Sequence, residues 1–187
     1  MLVECGLVRA TTSDGAEFTF RPSLGRIASL ADPAGIVRLY GRLFGERAAE
    51  AAAEVLIGLC DQDDLAPLIG EPDAAPDGVR WIGGAMPPAE RVIVAQHLMR
   101  HGIVGKARPS AEGEGAYSDK FEAAQFIAAA RVHLGLSSAD AEALSMTELQ
   151  TLLEMKFPES ARGQHDTPTR ERYEAAMKMM RERHGNG

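Results

Sequence analysis

Cysteine is scarce in this chain. Only Cys5 and Cys60 occur among 187 residues, far apart and without CxxC spacing. Two such residues make neither a disulfide framework nor a thiol enzyme, and their apolar surroundings lead us to expect buried, reduced thiols in a cytosolic compartment. Long hydrophobic runs are missing too: none approaches the roughly twenty residues of a spanning helix. The N-terminal MLVECGLVRATTSDG lacks the basic segment and long apolar core of a secretory signal. A membrane partner and secretion by that route are therefore not expected. Bases are outnumbered, 20 against 27 acids for a net charge of −7, and this opposes binding to a polyanion, whose affinity comes from clustered Lys and Arg. Nucleic acid is not an expected partner. Reactive motifs are lacking as well. There is no GxSxG elbow. Gly102-Ile103-Val104-Gly105-Lys106 is too short for a phosphate loop, and Ala107 stands where a hydroxyl residue is needed.

What is present has globular proportions. Apolar residues make up 45% and charged residues 25%, and a chain of this length can bury roughly 70% of its unfolded surface without covalent staples. Residues 2 to 21 alternate as a hairpin. Val3, Cys5 and Leu7 lie on one face of a first strand, Phe18 and Phe20 on one face of a second, with Asp14-Gly15 at the turn. Pro22-Ser23 then caps a short helix carrying Leu24, Ile27 and Leu30. Asp32-Pro33 starts another with a capping acid and a proline at its first position, and Ile36, Leu39, Tyr40, Leu43 and Phe44 trace its inner face. The alanine-rich ERAAEAAAEVLIGLC predicts a third helix that packs closely through Ala48, Ala52, Val55, Leu56 and Leu59. Residues 61 to 87 read as a long loop with a short extended piece around Val79 to Ile82, pinned to the body by Trp81. A central, largely buried helix containing ERVIVAQHLMRH follows Pro87-Pro88 and is expected to end at Gly102.

The most strongly patterned stretch runs from Ser118 to Pro158 and predicts three helices in a row. Phe121, Ala124, Ala128 and Val132 recur at helical spacing before Gly135, where a left-handed cap is needed. Ser137 stands three residues before Asp140, and Ser145 three before Glu148 in a full capping box. Met146, Leu149, Leu152 and Leu153 continue a stripe to Phe157-Pro158. The polar, glycine-bearing KARPSAEGEGAY ahead of this stretch has the composition of a flexible connection. Thr167-Pro168 caps a last amphipathic helix with Tyr173, Ala176, Met177 and Met180 on one side and a surplus of bases elsewhere. The expected fold class is mainly α with a small N-terminal β-hairpin (α+β), a multi-helix N-terminal lobe followed by a smaller helical C-terminal lobe. The expected divisions are 1–105 for the hairpin and first lobe, 106–117 for a linker, 118–158 for the three-helix lobe, and 159–187 for a second linker and the amphipathic helix.

Three clusters could carry chemistry, and each has a plainer reading. His97 and His101 stand four apart on one helix face, as a metal pair would, but no glutamate follows the first and no third ligand has suitable spacing. Asp61, Asp63 and Asp64 could hold a hard cation, yet Ala66 and Pro72 occupy the places where a calcium loop needs Gly and Glu. The turn at Gly135 is shaped like a helix-turn-helix, but SSADAEALS carries acids and no base, and residues 118 to 157 hold six acids to three bases. We therefore expect no catalytic residues, no metal, no cofactor and no enzymatic activity. A methionine-bearing amphipathic helix, by contrast, suits docking, because Met side chains repack against varied apolar partners.

The blocks FRPSLGRIASL, LCDQDD, GAMPPAERVIVAQHLMRHGIVGK and YSDKFEAAQFIAAARVHLGLSSADAEALSMTELQTLLEMKFPE together resemble a family of small proteins of tailed bacteriophages and prophages. Its members are carried among tail-morphogenesis genes and are similar to tail assembly chaperones. The resemblance implies a chaperone that holds the long, helical tape-measure protein while tube subunits polymerise around it. It implies phage tail proteins as partners and the host bacterial cytoplasm as location. The alternative is a minor structural or connector subunit retained in the virion tail, and either role allows an oligomer. The expected partner-binding residues are Leu149, Leu152 and Phe157, around an apolar groove, and Tyr173, Met177 and Met180 on the last helix.

Overall fold

The first strand pairs late. In the computed structural model, which describes residues 5–75, 78–106 and 119–158, β1 is Val8–Thr11 and β2 is Glu17–Phe20. They run antiparallel with Val8 opposite Phe20 and Thr11 opposite Glu17. The turn is the one expected around Asp14-Gly15, closed by Gly15 N–H to the Thr12 carbonyl at 3.0 Å. Cys5 and Leu7 precede the strand and are buried beneath it with Phe18 and Phe20. Val3 lies outside the described residues.

Local capping builds the next two helices. In α1 (Leu24–Leu30) the Ser23 hydroxyl accepts from Arg26 N–H, and in α2 (Pro33–Arg42) the Asp32 carboxylate accepts from Gly35 N–H. Leu24, Ile27, Ile36, Leu39 and Leu43 go into the core. Phe44 does not join them: α2 has ended, and its ring sits edge-on to Tyr40 at 64% exposure. Helix α3 (Ala48–Leu59) buries Ala51, Ala52, Ala53, Val55, Leu56 and Leu59 completely. Its small residues let α5 (Pro88–Met99) lie close against it, the most extensive helix pairing among the described elements.

Segment 61–87 is more ordered than a loop. It contains a short helix, α4 (Ala66–Ile69), and a second antiparallel hairpin of β3 (Glu71–Ala75) and β4 (Gly78–Ile82). The extended piece expected at Val79 to Ile82 is one strand of that hairpin. Its partner EPDAA lacks β-branched and aromatic residues, so composition hid it.

Two helix faces differ from the periodic reading. Helix α5 is not apolar all round in its burial: Arg91, Ala95, Leu98 and Met99 are buried, while Ile93 is 65% exposed. Arg91 enters the core because its Nε donates to the Met86 carbonyl at 2.7 Å. The helix also runs past Gly102 as a π-helical turn, Arg100–Val104. Gly102 is there to admit Ile27, whose side chain would lie within 3 Å of an added Cβ. In α6 (Ala123–Leu134) the buried residues are Ala123 and Ala130, with Phe121 just ahead, and Val132 is 78% exposed. Gly135 is the left-handed cap expected, at φ 71°. Both remaining helices start as predicted. Ser137 caps α7 (Ser138–Ala143), and Ser145 and Glu148 exchange backbone and side-chain bonds at the start of α8 (Met146–Lys156).

The fold class is thus mainly α with small β content, as two hairpins. The expected division at 106–117 is not a boundary between lobes. Met1–Leu152 forms one compact unit, because Ser23 and Ser145 form an isolated antiparallel bridge, Leu24 N–H donates to the Leu144 carbonyl at 2.7 Å, and Phe121 N–H to that of Pro33 at 2.9 Å. The Leu24 bond satisfies a donor at the start of α1 with backbone from the α7–α8 turn, and the Phe121 bond ties the segment before α6 to the start of α2. Leu153 onward belongs to a second unit, described only through Pro158.

Candidate functional site

The second hairpin and the end of α3 enclose an apolar cleft. Val55, Leu56 and Leu59 use up the inward face of α3, so Ile57 is turned away from the core and left 49% exposed. The chain then leaves the helix under tight control. Asp61 receives Arg21 Nε at 2.6 Å and a second guanidinium, that of Arg26, at 2.9 Å. The Gln62 side-chain oxygen accepts from Thr19 N–H at 2.9 Å, and Asp64 accepts from Ala66 N–H at 3.0 Å to start α4. Leu65, Leu68 and Ile69 are buried. The returning strand is tied back by Ala85 N–H to the Pro67 carbonyl (3.0 Å) and Met86 N–H to that of Leu68 (2.8 Å). At Gly84 the two backbones approach so closely that an added Cβ would lie 2.3 Å from Gly70 N. That contact lets the hairpin fold down beside α4.

The resulting cleft has a volume of about 190 Å³, with Leu65 and Ile69 as its buried floor, Ile57, Pro72 and Trp81 as walls, and the exposed Asp63 and Glu71 also in its lining. Small-molecule pockets usually span about 300–1,000 Å³. This one is sized for a single large apolar side chain. Asp61 is already paired, so the charge at the mouth is that of Asp63 and Glu71, neither of which makes an ion pair among the described residues.

The histidine pair forms a different kind of site. The rings of His97 and His101 lie 4.6 Å apart between centroids, and His101 Nδ1 is 2.8 Å from the Thr147 hydroxyl on α8. Burial first, then the nearby His97 and Arg100, hold the His101 imidazole below its usual pKa. No third group completes a metal site among the described residues. His101 therefore joins the π-helical turn to the start of α8, and its neutral form suits that place. The aspartates divide similarly: Asp61 pairs with Arg21 after β2 and Arg26 on α1, and Asp64 accepts from Ala66 N–H at the start of α4. The Cys60 thiol is buried, which raises its pKa, and Cys5 is buried too.

Of the residues expected to bind a partner, Leu149 is 1% exposed and belongs to the core. The capping box at Ser145 sets the phase of α8 and turns Leu149 inward. Leu152 and Phe157 are 37% and 42% exposed. Tyr173, Met177 and Met180 lie outside the described residues. The cleft residues Ile57, Ile69 and Trp81 were not singled out as a site by the sequence. The available signal was Trp81, the only tryptophan, in a stretch rich in Pro, Gly and acids.

Fold and cleft together define a mainly helical α+β protein with an apolar, acid-rimmed surface cleft. Among the described residues no helix is long and apolar enough to cross a membrane. The chain belongs to a family of unknown function, DUF6246, which it matches over residues 41–175. The matched span begins within α2 and includes every cleft residue. No curated protein and no solved structure matches the chain.

Proposed function

We propose that this chain is a protein-binding factor of phage tail assembly, acting without catalysis as a chaperone that holds the tape-measure protein in the host cytoplasm before the tube closes around it. The observation that carries the reading is the cleft beside Trp81. It is an apolar recess smaller than the usual small-molecule pocket and suited to one side chain of another polypeptide. The resemblance of the FRPSLGRIASL and YSDKFEAAQFIAAARV blocks to tail-morphogenesis proteins supports the setting.

Co-expression tests it. The tape-measure protein of the same phage should be recovered soluble with this chain and aggregated without it; equal solubility in both cases overturns the reading. A second reading, a minor tail or connector subunit, is favoured by Ile93 on α5 and Val132 on α6, exposed by 65% and 78%. Apolar residues left open on several elements suit a subunit covered from more than one side. Stoichiometric recovery of the chain in purified particles would establish that role, whereas a chaperone is absent from them.

A further inference from the structure

The cleft also carries information about what enters it. We infer that it binds a basic amphipathic helix of another polypeptide, one large apolar side chain seated between Ile57 and Trp81 while neighbouring Lys or Arg residues face Asp63 and Glu71. This deepens the protein-binding reading above and rests on it.

Three observations select that occupant. The first is size: about 190 Å³ over a floor of Leu65 and Ile69 accepts one anchor side chain, the usual form of an interface hot spot. The second is charge. Asp61 is neutralised by Arg21 and Arg26 and Asp64, outside the lining, accepts from Ala66 N–H, but Asp63 and Glu71 carry their charge at the mouth without an ion pair among the described residues. Carboxylates so placed steer and orient a cation and repel an acidic segment. The third is backbone chemistry. β3 is the strand whose Glu71 and Pro72 line the cleft, and Pro72 has no N–H, so an added strand would find its ladder broken there. A helix satisfies its own backbone and presents an anchor with flanking charges at i±3 and i±4. The cleft thus favours a helical occupant over an extended one.

Trp81, as the single tryptophan, reports occupancy directly. The test uses the full chain and two synthetic amphipathic peptides of about 18 residues, long enough to be helical when bound: one of leucine and lysine, the other of leucine and glutamate. The lysine peptide should change Trp81 emission saturably, and added salt should weaken it. The glutamate peptide should bind at least about tenfold more weakly. Ile57→Glu should abolish the response. Ile57→Ser should reduce it with the fold intact by circular dichroism, and Asp63→Asn with Glu71→Gln should remove most of the preference for lysine.

Equal binding of the two peptides overturns the inference, as does saturable binding that leaves Trp81 emission unchanged or no binding at all. Self-association of the chain that Ile57→Glu abolishes would place a second copy in the cleft instead, and also overturns it. The functional reading fails separately. If Ile57→Glu still keeps the tape-measure protein soluble, the chaperone role stands and the cleft inference falls; if the unaltered chain does not, the role falls whatever the peptides do.

Discussion

The α3–α5 interface and the α4–β3–β4 segment lie side by side in the chain and solve opposite problems. In the first, every inward side chain of α3 from Ala51 to Leu59 is sealed, and even a guanidinium, that of Arg91, is drawn in and given a carbonyl. In the second, a hairpin is fastened by backbone bonds at its base while Trp81 stays half-exposed and Ile82 is left 58% open, and Ile57 on the outer side of α3 is 49% open beside it. The difference separates apolar surface that holds the fold from apolar surface left open. Apolar area already buried stabilises the fold, and apolar area still in water is available to a partner.

The strongest way to break this contrast is at the sealed side. Leu56→Ala removes a fully buried side chain from α3 and should cost about 2–5 kcal/mol, read as a lower urea midpoint. A change under about 0.5 kcal/mol, the scale of surface substitutions, would mean that the interface is not the core. Next comes Gly84→Ala, which forces a Cβ against the Gly70 and Ile69 backbone, atoms that cannot swing aside as a side-chain end can. About 1–3 kcal/mol is expected. The loss should appear first as altered Trp81 emission below the global transition, since the hairpin docks through that contact.

Acid sharpens the comparison from the core side. Because burial, His97 and Arg100 depress the pKa of His101, the folded chain resists a proton that the unfolded chain accepts. The associated stability is present above about pH 6.5 and is lost as pH falls below that value. The groups facing His101 include Thr147 from α8 and Gly6 from the N-terminal segment, beside His97 on its own helix. Thermal midpoints should therefore fall between pH 7 and pH 5, and His101→Asn should flatten the slope; an unchanged slope would remove His101 as its source. The smallest effect is expected at the open side. Ile82→Ser should shift stability by less than about 0.5 kcal/mol. A larger loss would show that the exposed apolar residues hold the fold together and are not held in reserve.

The elements legible in the sequence were those whose signals are local. Ser23, Asp32, Ser137 and the Ser145–Glu148 box each place a side-chain oxygen within three residues of the N–H it satisfies, so four helix starts could be read without knowing any neighbour. Helix faces were less legible. The apolar stripe of α6 predicted Val132 as buried, yet Ala130 is the residue that faces inward; the α5 pattern hid a buried Arg91 and an exposed Ile93. Periodicity counts apolar residues around a helix and cannot say which arc has a neighbour. The cleft was beyond reach for a related reason. Its lining comes from α3, α4, β3 and β4 together, and the strand that closes it is built from Glu, Pro, Asp and Ala.

The sequence by itself determined the helical class, the capped helix starts and the first turn, because each depends on residues near in the chain. Tertiary structure alone decided that residues 119–152 join the first helices in one unit, that Leu149 is buried while Ile57 is open, and that a hairpin forms between Ile69 and Met86. Those outcomes turn on bonds such as Leu24 to Leu144 and on the approach of Gly84 to Gly70. Such contacts reward the chain only after distant segments have met, so no short window of residues contains them.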